Sequence, residues 1–315
     1  MRLLITGGAG FIGSTLVRMA LAAGHEVVVL DALTYAGKRE NLPDGVPFRQ
    51  GRVQDPQSFL NVMAFVCQDG RPFDGVLHLA AESHVDRSIE DGDAFVNTNV
   101  LGTQVLLQAL HRVAWRGRFV YVSTDEVYGA LKPGEPAWTE DAPFKPTSPY
   151  AASKASAEHF AMSHHRTYGT DVVITRGSNT YGPRQHVEKL IPLMVLRALA
   201  DDPLPVYGDG LQQRDWLHVD DHARGILAAL EHGRAGQAYN LGGEGERVNL
   251  DVVKALLGHL DRPESLISFV TDRLGHDRRY LMDCTRAREE LGWESEVAFD
   301  EGFKYTVLQL AGVLA

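Results

Sequence analysis

Apolar positions along this chain recur with two periods. Leu3-Leu4-Ile5 precedes a glycine-rich stretch; Leu16, Met19, Ala20 and Ala23 then follow at helical spacing, and Glu26-Val27-Val28-Val29-Leu30 forms the next apolar run. The pattern predicts a short strand, a helix over roughly 14–23 stopped by Gly24, and a second strand ending in Asp31. Asp55 as cap and Pro56 open a further helix through Cys67, ahead of Asp69-Gly70. Gly75-Val76-Leu77-His78-Leu79, Gly117-Arg118-Phe119-Val120-Tyr121-Val122 and Asp171-Val172-Val173-Ile174-Thr175-Arg176 read as buried strands, rich in β-branched and aromatic residues. Val96, Val100, Gln104, Leu107 and Leu110 mark a long helix over about 93–115; Ser148 as N-cap and Pro149 at the first helical position open another, through about 168. Strands alternating with helices predict an α/β fold, a Rossmann-type doubly wound parallel sheet with right-handed crossovers.

The glycine-rich stretch Thr6-Gly7-Gly8-Ala9-Gly10-Phe11-Ile12-Gly13 lies between the first strand and its helix. Gly7, Gly10 and Gly13 let backbone approach a pyrophosphate, and the helix start offers free N–H groups and positive dipole charge. Asp31, closing the second strand, is placed to accept hydrogen bonds from an adenosine ribose, and its charge would repel a 2′-phosphate. NAD is therefore expected over NADP. The small residues Ala80 and Ala81 would let the middle of such a cofactor lie close over the sheet edge.

The next strand runs into Ser123-Thr124-Asp125-Glu126-Val127-Tyr128-Gly129, which puts adjacent carboxyl groups where open α/β sheets place their ligand crevice. Tyr150 and Lys154 lie four apart on one face of the following helix. An ammonium one turn away is expected to lower the phenol's pKa toward useful base strength. Tyr-x-x-x-Lys alone occurs in many helices; combined with the glycine loop and the Asp-Glu pair it predicts a catalytic site.

The 315 residues carry a net charge of −10, which argues against a nucleic-acid-coating protein. Cys67 and Cys284 form neither a disulfide framework nor a metal motif, and no metal is expected. No run reaches the length of a membrane span and nothing reads as a secretory leader, so a cytoplasmic protein without membrane attachment is expected. Beyond residue 176 loops lengthen, and Asn179, Arg184, Gln185, Lys189, Arg214, Asn249, Arg273, His276, Arg278 and Arg279 lie near turns. Such groups suit an anionic substrate. Residues 1–175 are thus expected to form an NAD-binding domain, and 176–315 a smaller, predominantly substrate-binding lobe with segments that return to the first domain.

With these residues in view, nearly the whole chain resembles the extended short-chain dehydrogenase/reductase family, and within it the dTDP-glucose 4,6-dehydratases. The resemblance is carried by the glycine loop, Asp31 to Gly37, Leu79 to Ser88, Ser123 to Gly129, Ser148 to Lys154, Tyr181 to Gln185, Glu188 to Pro192, Arg214-Asp215-Trp216 and Gly275 to Tyr280. The Thr124-Asp125-Glu126 run is its specific part, since sibling epimerases usually lack the adjacent acid pair.

The family resemblance implies an NAD-dependent lyase acting on a nucleotide hexose, with dTDP-glucose first, and UDP-glucose dehydration or nucleotide-sugar 4-epimerisation as alternatives. It implies that Tyr150, assisted by Lys154, takes the C4 hydroxyl proton; that Thr124 holds the C4 oxygen; and that Glu126 removes the C5 proton while Asp125 protonates the leaving C6 hydroxyl. It extends the cofactor site to Phe11, Ile12, Ala32, Leu33, Thr34, Arg52, Val53, Leu79, Ser83, Thr98 and Thr180. For the substrate it implies Ser83, Asn179, Lys189, Leu190, Pro205, Tyr207, Arg214, Asn249, Arg273, His276 and Asp277. It also implies a homodimer through the helices near 93–115 and 149–168. Against the family pattern, Arg52 stands where Asp is usual, Thr180 where Asn is usual, and His186-Val187 where Phe-Pro is usual.

Overall fold

The structure is a computed structural model that describes residues 1–66 and 71–312. The expected end of the second helix at Cys67, with Asp69-Gly70 beyond it, lies outside the described residues. In chain order the strands are β1 (Arg2–Thr6), β2 (Glu26–Asp31), β3 (Phe48–Gln50), β4 (Gly75–His78), β5 (Arg118–Thr124), β6 (Asp171–Gly177), β7 (Asn179–Tyr181), β8 (Leu204–Tyr207), β9 (Gln213–His218), β10 (Ala238–Leu241), β11 (Glu246–Val248) and β12 (Ile267–Val270). The α-helices are α1 (Phe11–Ala22), α2 (Pro56–Val66), α3 (Val85–Glu90), α4 (Asp93–Phe95), α5 (Gly102–Arg112), α6 (Pro149–Tyr168), α7 (Leu190–Leu199), α8 (Val219–His232), α9 (Asn249–His259) and α10 (Phe299–Leu310).

Seven strands pair in the order β10-β6-β5-β4-β1-β2-β3, every pair parallel. The strand order reverses between β1 and β4, which opens a ligand crevice over the carboxyl ends of these strands. Period-two alternation divides the strand residues between two cores. Leu3, Ile5, Val27, Val29, Val120, Val122 and Val173 pack with Leu16, Val17 and Ala20 of α1 and with Ala223, Ile226 and Leu230 of α8. Leu4, Val28, Leu30, Phe119, Tyr121, Val172 and Ile174 face the other way, onto Leu106, Leu107 and Leu110 of α5 and Ala157 and Ala161 of α6. Both faces are covered, which is why these strands read as unbroken apolar runs. The fold is the expected doubly wound parallel sheet.

A third core joins Leu204 and Val206 of β8 to α7, α9 and α10 through Met194, Val195, Leu256, Leu257, Phe303 and Val307. It lies beside two small sheets, β11-β9-β7 and β12-β8. The long helix expected over 93–115 is interrupted: Val96–Leu101 forms a π-helical turn between α4 and α5. The turn buries Asn99, and such bulges recur at functional sites.

Candidate active site

The glycine loop is held against the β4 edge by close packing. Gly7 has φ +71°, and a Cβ there would lie 2.7 Å from the Ala80 backbone nitrogen; a Cβ at Gly13 would lie 2.1 Å from the Gly7 oxygen. Gly10 caps α1 without a side-chain hydrogen bond, and the first turn, opening on Phe11 and Ile12, carries no acid. This is a cradle in which Cβ atoms would displace backbone, at a helix start suited to an anion, and it fits a pyrophosphate. Leu79 and Ala80 donate backbone N–H groups to the Thr6 carbonyl and hydroxyl at 3.1 and 3.3 Å, setting the floor beside Ala81.

Asp31 is buried. Its Oδ2 accepts from Ala9 N at 2.9 Å and its Oδ1 from Leu33 N at 2.8 Å. Burial raises its pKa, and those backbone donors oppose the rise. The same carboxylate that would face a ribose therefore also fastens the loop carrying Ala32, Leu33 and Thr34, in which Leu33 adopts φ +50°. Beyond β3, Val53 is buried against Gly102 while Arg52 is exposed. Thr98 lies in the π-helical turn, one residue before Asn99. Asn99 clamps the loop after β4: it exchanges hydrogen bonds with the Glu82 backbone at 2.8 and 3.0 Å and donates to Ser153 Oγ at 2.8 Å. Thr180 turns its hydroxyl to His222 Nδ1 at 2.7 Å and to the Ser178 carbonyl at 3.1 Å.

The acid pair sits on a single 3₁₀ turn, Asp125–Tyr128, capped by Thr124, whose Oγ1 accepts from Glu126 N at 3.3 Å and donates to Asp125 Oδ1 at 3.1 Å. Asp125 is buried and its Oδ2 has no hydrogen-bond partner in the structure. Burial and then the Glu126 charge hold its pKa well above the usual carboxylate range. Burial raises Glu126 as well, but Arg273, Arg214 and Lys189 pull it back. Neighbouring carboxyls in such unequal surroundings separate into an acid and a base.

Tyr150 and Lys154 are both buried on α6, one turn apart. Here the structure departs from the four-residue spacing argument. Burial, and then the Glu126 charge, hold the Tyr150 phenol above its ordinary range, while a hydrogen bond with Thr124 works the other way. The Lys154 ammonium lies 2.6 Å from the Val122 carbonyl and 4.3 Å over the Tyr121 ring, and burial brings its pKa down to about 7. A cation half-discharged at neutrality and turned to a carbonyl does not offset that burial.

The expected substrate residues fall into two groups. Lys189, at the cap of α7 beside Leu190, donates to the Ser83 carbonyl at 2.8 Å and so ties the two candidate binding loops together. Arg214 is buried, donates to the Asp277 carbonyl at 2.8 Å, and lies 4.3 Å over the Tyr280 ring. With Arg273 these cations surround Glu126 electrostatically, so this group belongs to the reacting end. Further out, Tyr207 donates to Asp86 Oδ2 at 3.3 Å, and His276 Nδ1 meets Asp272 Oδ1 at 2.6 Å with its ring edge-on to Tyr207. Pro205 lies in β8 with Tyr207, Asn179 in β7, and Asn249 opens α9 with its Oδ1 buried and unpartnered. Asp277 points inward, accepting from Thr147 and Tyr280 hydroxyls, so it braces Tyr280 and Thr147.

Sequence reasoning assigned no role to Tyr280, although it closes the Gly275–Tyr280 stretch, nor to Tyr35, which lies under the Arg87 guanidinium at 3.9 Å. Arg87 in turn pairs with Glu188 at 3.4 Å, linking the loop after β2 to both substrate loops. Among the described residues no cluster has the makings of a metal site, and no helix is long and apolar enough to cross a membrane.

Comparisons with known proteins agree with this geometry. The family model described as GDP-mannose 4,6 dehydratase matches residues 4–306. A dTDP-glucose 4,6-dehydratase of Xanthomonas campestris pv. campestris (strain B100) is 48% identical, covering 96% of this chain and 91% of the relative. Another, from Streptomyces griseus, is 50% identical over 97% of this chain and 92% of its own length. Among solved structures, the dTDP-glucose 4,6-dehydratase DesIV of Streptomyces venezuelae with NAD and dTDP bound superposes with a TM-score of 0.91 at 47% identity, covering 98% of this chain and 96% of that one. A UDP-glucose 4-epimerase of Thermus thermophilus in complex with NAD superposes at 0.90 with 34% identity over the full length of both chains. The chain belongs to the extended short-chain dehydrogenase/reductase family and, within it, to the dTDP-glucose 4,6-dehydratases.

Proposed function

We propose that this chain converts dTDP-glucose to dTDP-4-keto-6-deoxyglucose and water, with Thr124, Asp125, Glu126, Tyr150 and Lys154 as its reacting groups. The observation that carries the reading is the acid pair on its 3₁₀ turn, with Asp125 buried and only partly hydrogen-bonded and Glu126 facing three cations. Exchange of configuration at C4 needs neither group.

NAD, when bound, supplies the hydride acceptor for C4 and the donor for C6. The glycine loop, the α1 start and Asp31 would hold it. Tyr150 takes the C4 hydroxyl proton while Thr124 steadies the C4 oxygen. The resulting ketone acidifies C5; Glu126 removes that proton, and Asp125 gives its own to the C6 hydroxyl, which leaves as water. Glu126 then returns a proton to C5. Lys189, Arg214 and Arg273 lie at the reacting end and act on Glu126 by charge, and Asn179, Tyr207, Asn249 and His276 lie along the rest of the substrate. In this reading residues 1–175 form the cofactor domain and 176–315 predominantly the nucleotide-sugar lobe, with α8 and β10 returning to the large sheet.

Incubation with dTDP-glucose and, separately, UDP-glucose tests the assignment. The expected product absorbs in alkali as a 4-keto sugar and is lighter than the substrate by one water, with dTDP-glucose the faster substrate. A product of unchanged mass epimerised at C4 would overturn it.

Two further expectations arise here. Asp31→Ala should weaken NAD binding by about 10–100-fold, the size of hydrogen bonds to a charged group, and narrow the preference over NADP. Titration of the two nucleotides checks it; equal affinity of the intact protein for both would refute the role given to Asp31. Two copies should also associate through α4–α5 and α6, where Val96, Leu101, Phe160 and Tyr168 are exposed apolar groups. Light scattering should give twice the chain mass at micromolar concentration.

A further inference from the structure

A buried ion pair stands beside the reacting groups, its Glu158 one helical turn from Lys154 and acting on it by charge. Arg176 Nη2 meets Glu158 Oε2 at 2.8 Å, with side chains 6% and 2% exposed. Arg176 Nε also donates to both Glu158 oxygens, at 3.2 and 3.1 Å. Its Nη1 donates to the Tyr128 hydroxyl at 2.6 Å and to the Glu140 carbonyl at 3.0 Å, and the Tyr128 hydroxyl donates on to Asn240 Oδ1 at 2.7 Å. Withdrawing both charges from water is costly, and apolar residues of like volume often serve stability as well. The pair is better explained by the arrangement it enforces.

Its two ends identify that arrangement. Glu158 continues the stripe of α6 that carries Tyr150 and Lys154 at four-residue steps. Tyr128 ends the 3₁₀ turn that begins with Asp125 and Glu126. The β5–β6 ladder stops at the pair Thr124 and Gly177, so beyond that point the turn is no longer held by the large sheet. The Arg176 guanidinium joins the far end of the turn to the helix, 5.0 Å over the Tyr128 ring and 4.8 Å over Phe144.

We propose that Arg176 is a positioning residue for water elimination: by gripping Glu158 and the Tyr128 hydroxyl together, it sets the Asp125-Glu126 turn against the Tyr150 helix. The inference rests on the dehydratase reading. C4 oxidation needs Tyr150 and Lys154, which α6 carries, and Thr124, which the β5–β6 ladder still holds, so loosening the strut should slow elimination more than oxidation.

Tyr128→Phe is the test, because it keeps the ring packed on Trp138 and Phe144 and removes only the hydroxyl. Steady-state mixtures with dTDP-glucose are quenched in acid and reduced with borodeuteride. Deuterium at C4 of hexose that retains its C6 hydroxyl then counts sugar oxidised but not dehydrated. The expected result is a kcat lowered about 10–100-fold, as for a small misplacement of reacting groups, with KM nearly unchanged and a larger oxidised, undehydrated fraction. Arg176→Lys, which keeps the counter-charge for Glu158 but loses the planar fork, should move the fraction the same way. A merely structural role would lower the folded population and leave the fraction unchanged. Intact protein that releases no dehydrated sugar overturns the dehydratase reading and this inference with it. Intact protein that dehydrates, with an unchanged fraction in folded Tyr128→Phe, overturns this inference alone.

Discussion

Glu126→Gln should eliminate water about 10²–10⁴-fold more slowly than the intact protein while still oxidising its substrate at C4, the usual cost of losing one positioned base. The variant keeps the shape of the turn, because the Glu126 backbone N–H, not its side chain, caps onto Thr124. It removes the carboxylate that Arg273, Arg214 and Lys189 keep available for a proton. Asp125→Asn should show a similar loss for the opposite reason. Burial and the Glu126 charge favour its protonated carboxyl, and an amide cannot pass a proton to the leaving hydroxyl. The sign of the pH dependence follows from the same two groups. Glu126 must be ionised, so elimination falls as pH drops through its raised pKa; Asp125 must be protonated, so elimination falls as pH climbs through its own raised pKa. Solvent deuterium should enter C5 during turnover of the intact protein, since a carboxyl that takes the C5 proton exchanges it with water. Mass spectrometry of the product, with stopped-flow observation of oxidation and elimination, checks each part. Undiminished turnover by Glu126→Gln would remove the basis for assigning a dehydratase.

The elements that carry apolar runs were legible without coordinates. β1, β2, β5 and β6 are continuous because helices cover both sheet faces, and Ser148 and Pro149 open α6 by local chemistry alone. The interruption at 96–101 left no such mark, since Val, Asn, Thr and Leu are all compatible with an unbroken helix; burial of Asn99 against Glu82 and Ser153 decides it. The acid pair could be placed at a strand end, but not the difference between its members. That difference comes from Arg273 and Lys189, far along the chain, and from Asp125 Oδ2 lacking a partner. Asp277 reads as a binding group in its motif, yet folding turns it toward Thr147 and Tyr280. Arg176, Tyr128 and Asn240 likewise meet across more than a hundred residues, as Tyr128 to Asn240 shows at a separation of 112. Periodicity reports an element's own face; it carries nothing about which distant side chain will meet it.

Tyr150→Phe should slow C4 oxidation about 10²–10⁴-fold, so that substrate binds and little follows. The phenol is the hydroxyl-bearing base of α6; phenylalanine fills the same space against Phe95, at 6.3 Å between ring centres, and keeps the fold. Loss of a positioned general base sets that deficit, and because oxidation comes first, every later step is slowed with it. Lys154→Met distinguishes the charge from the phenol. In the structure burial and Glu126 keep the Tyr150 proton on, and burial brings Lys154 down to about 7, so the lysine is uncharged where the phenol ionises. The oxidation rate should therefore rise with pH over the same range in Lys154→Met as in the intact protein, at a lower rate throughout, whereas Tyr150→Phe should stay slow at every pH. Single-turnover measurements of C4 oxidation across the pH range give both curves. A rise moved to higher pH in Lys154→Met would show that the lysine acts through its charge on Tyr150 rather than through its bond to the Val122 carbonyl.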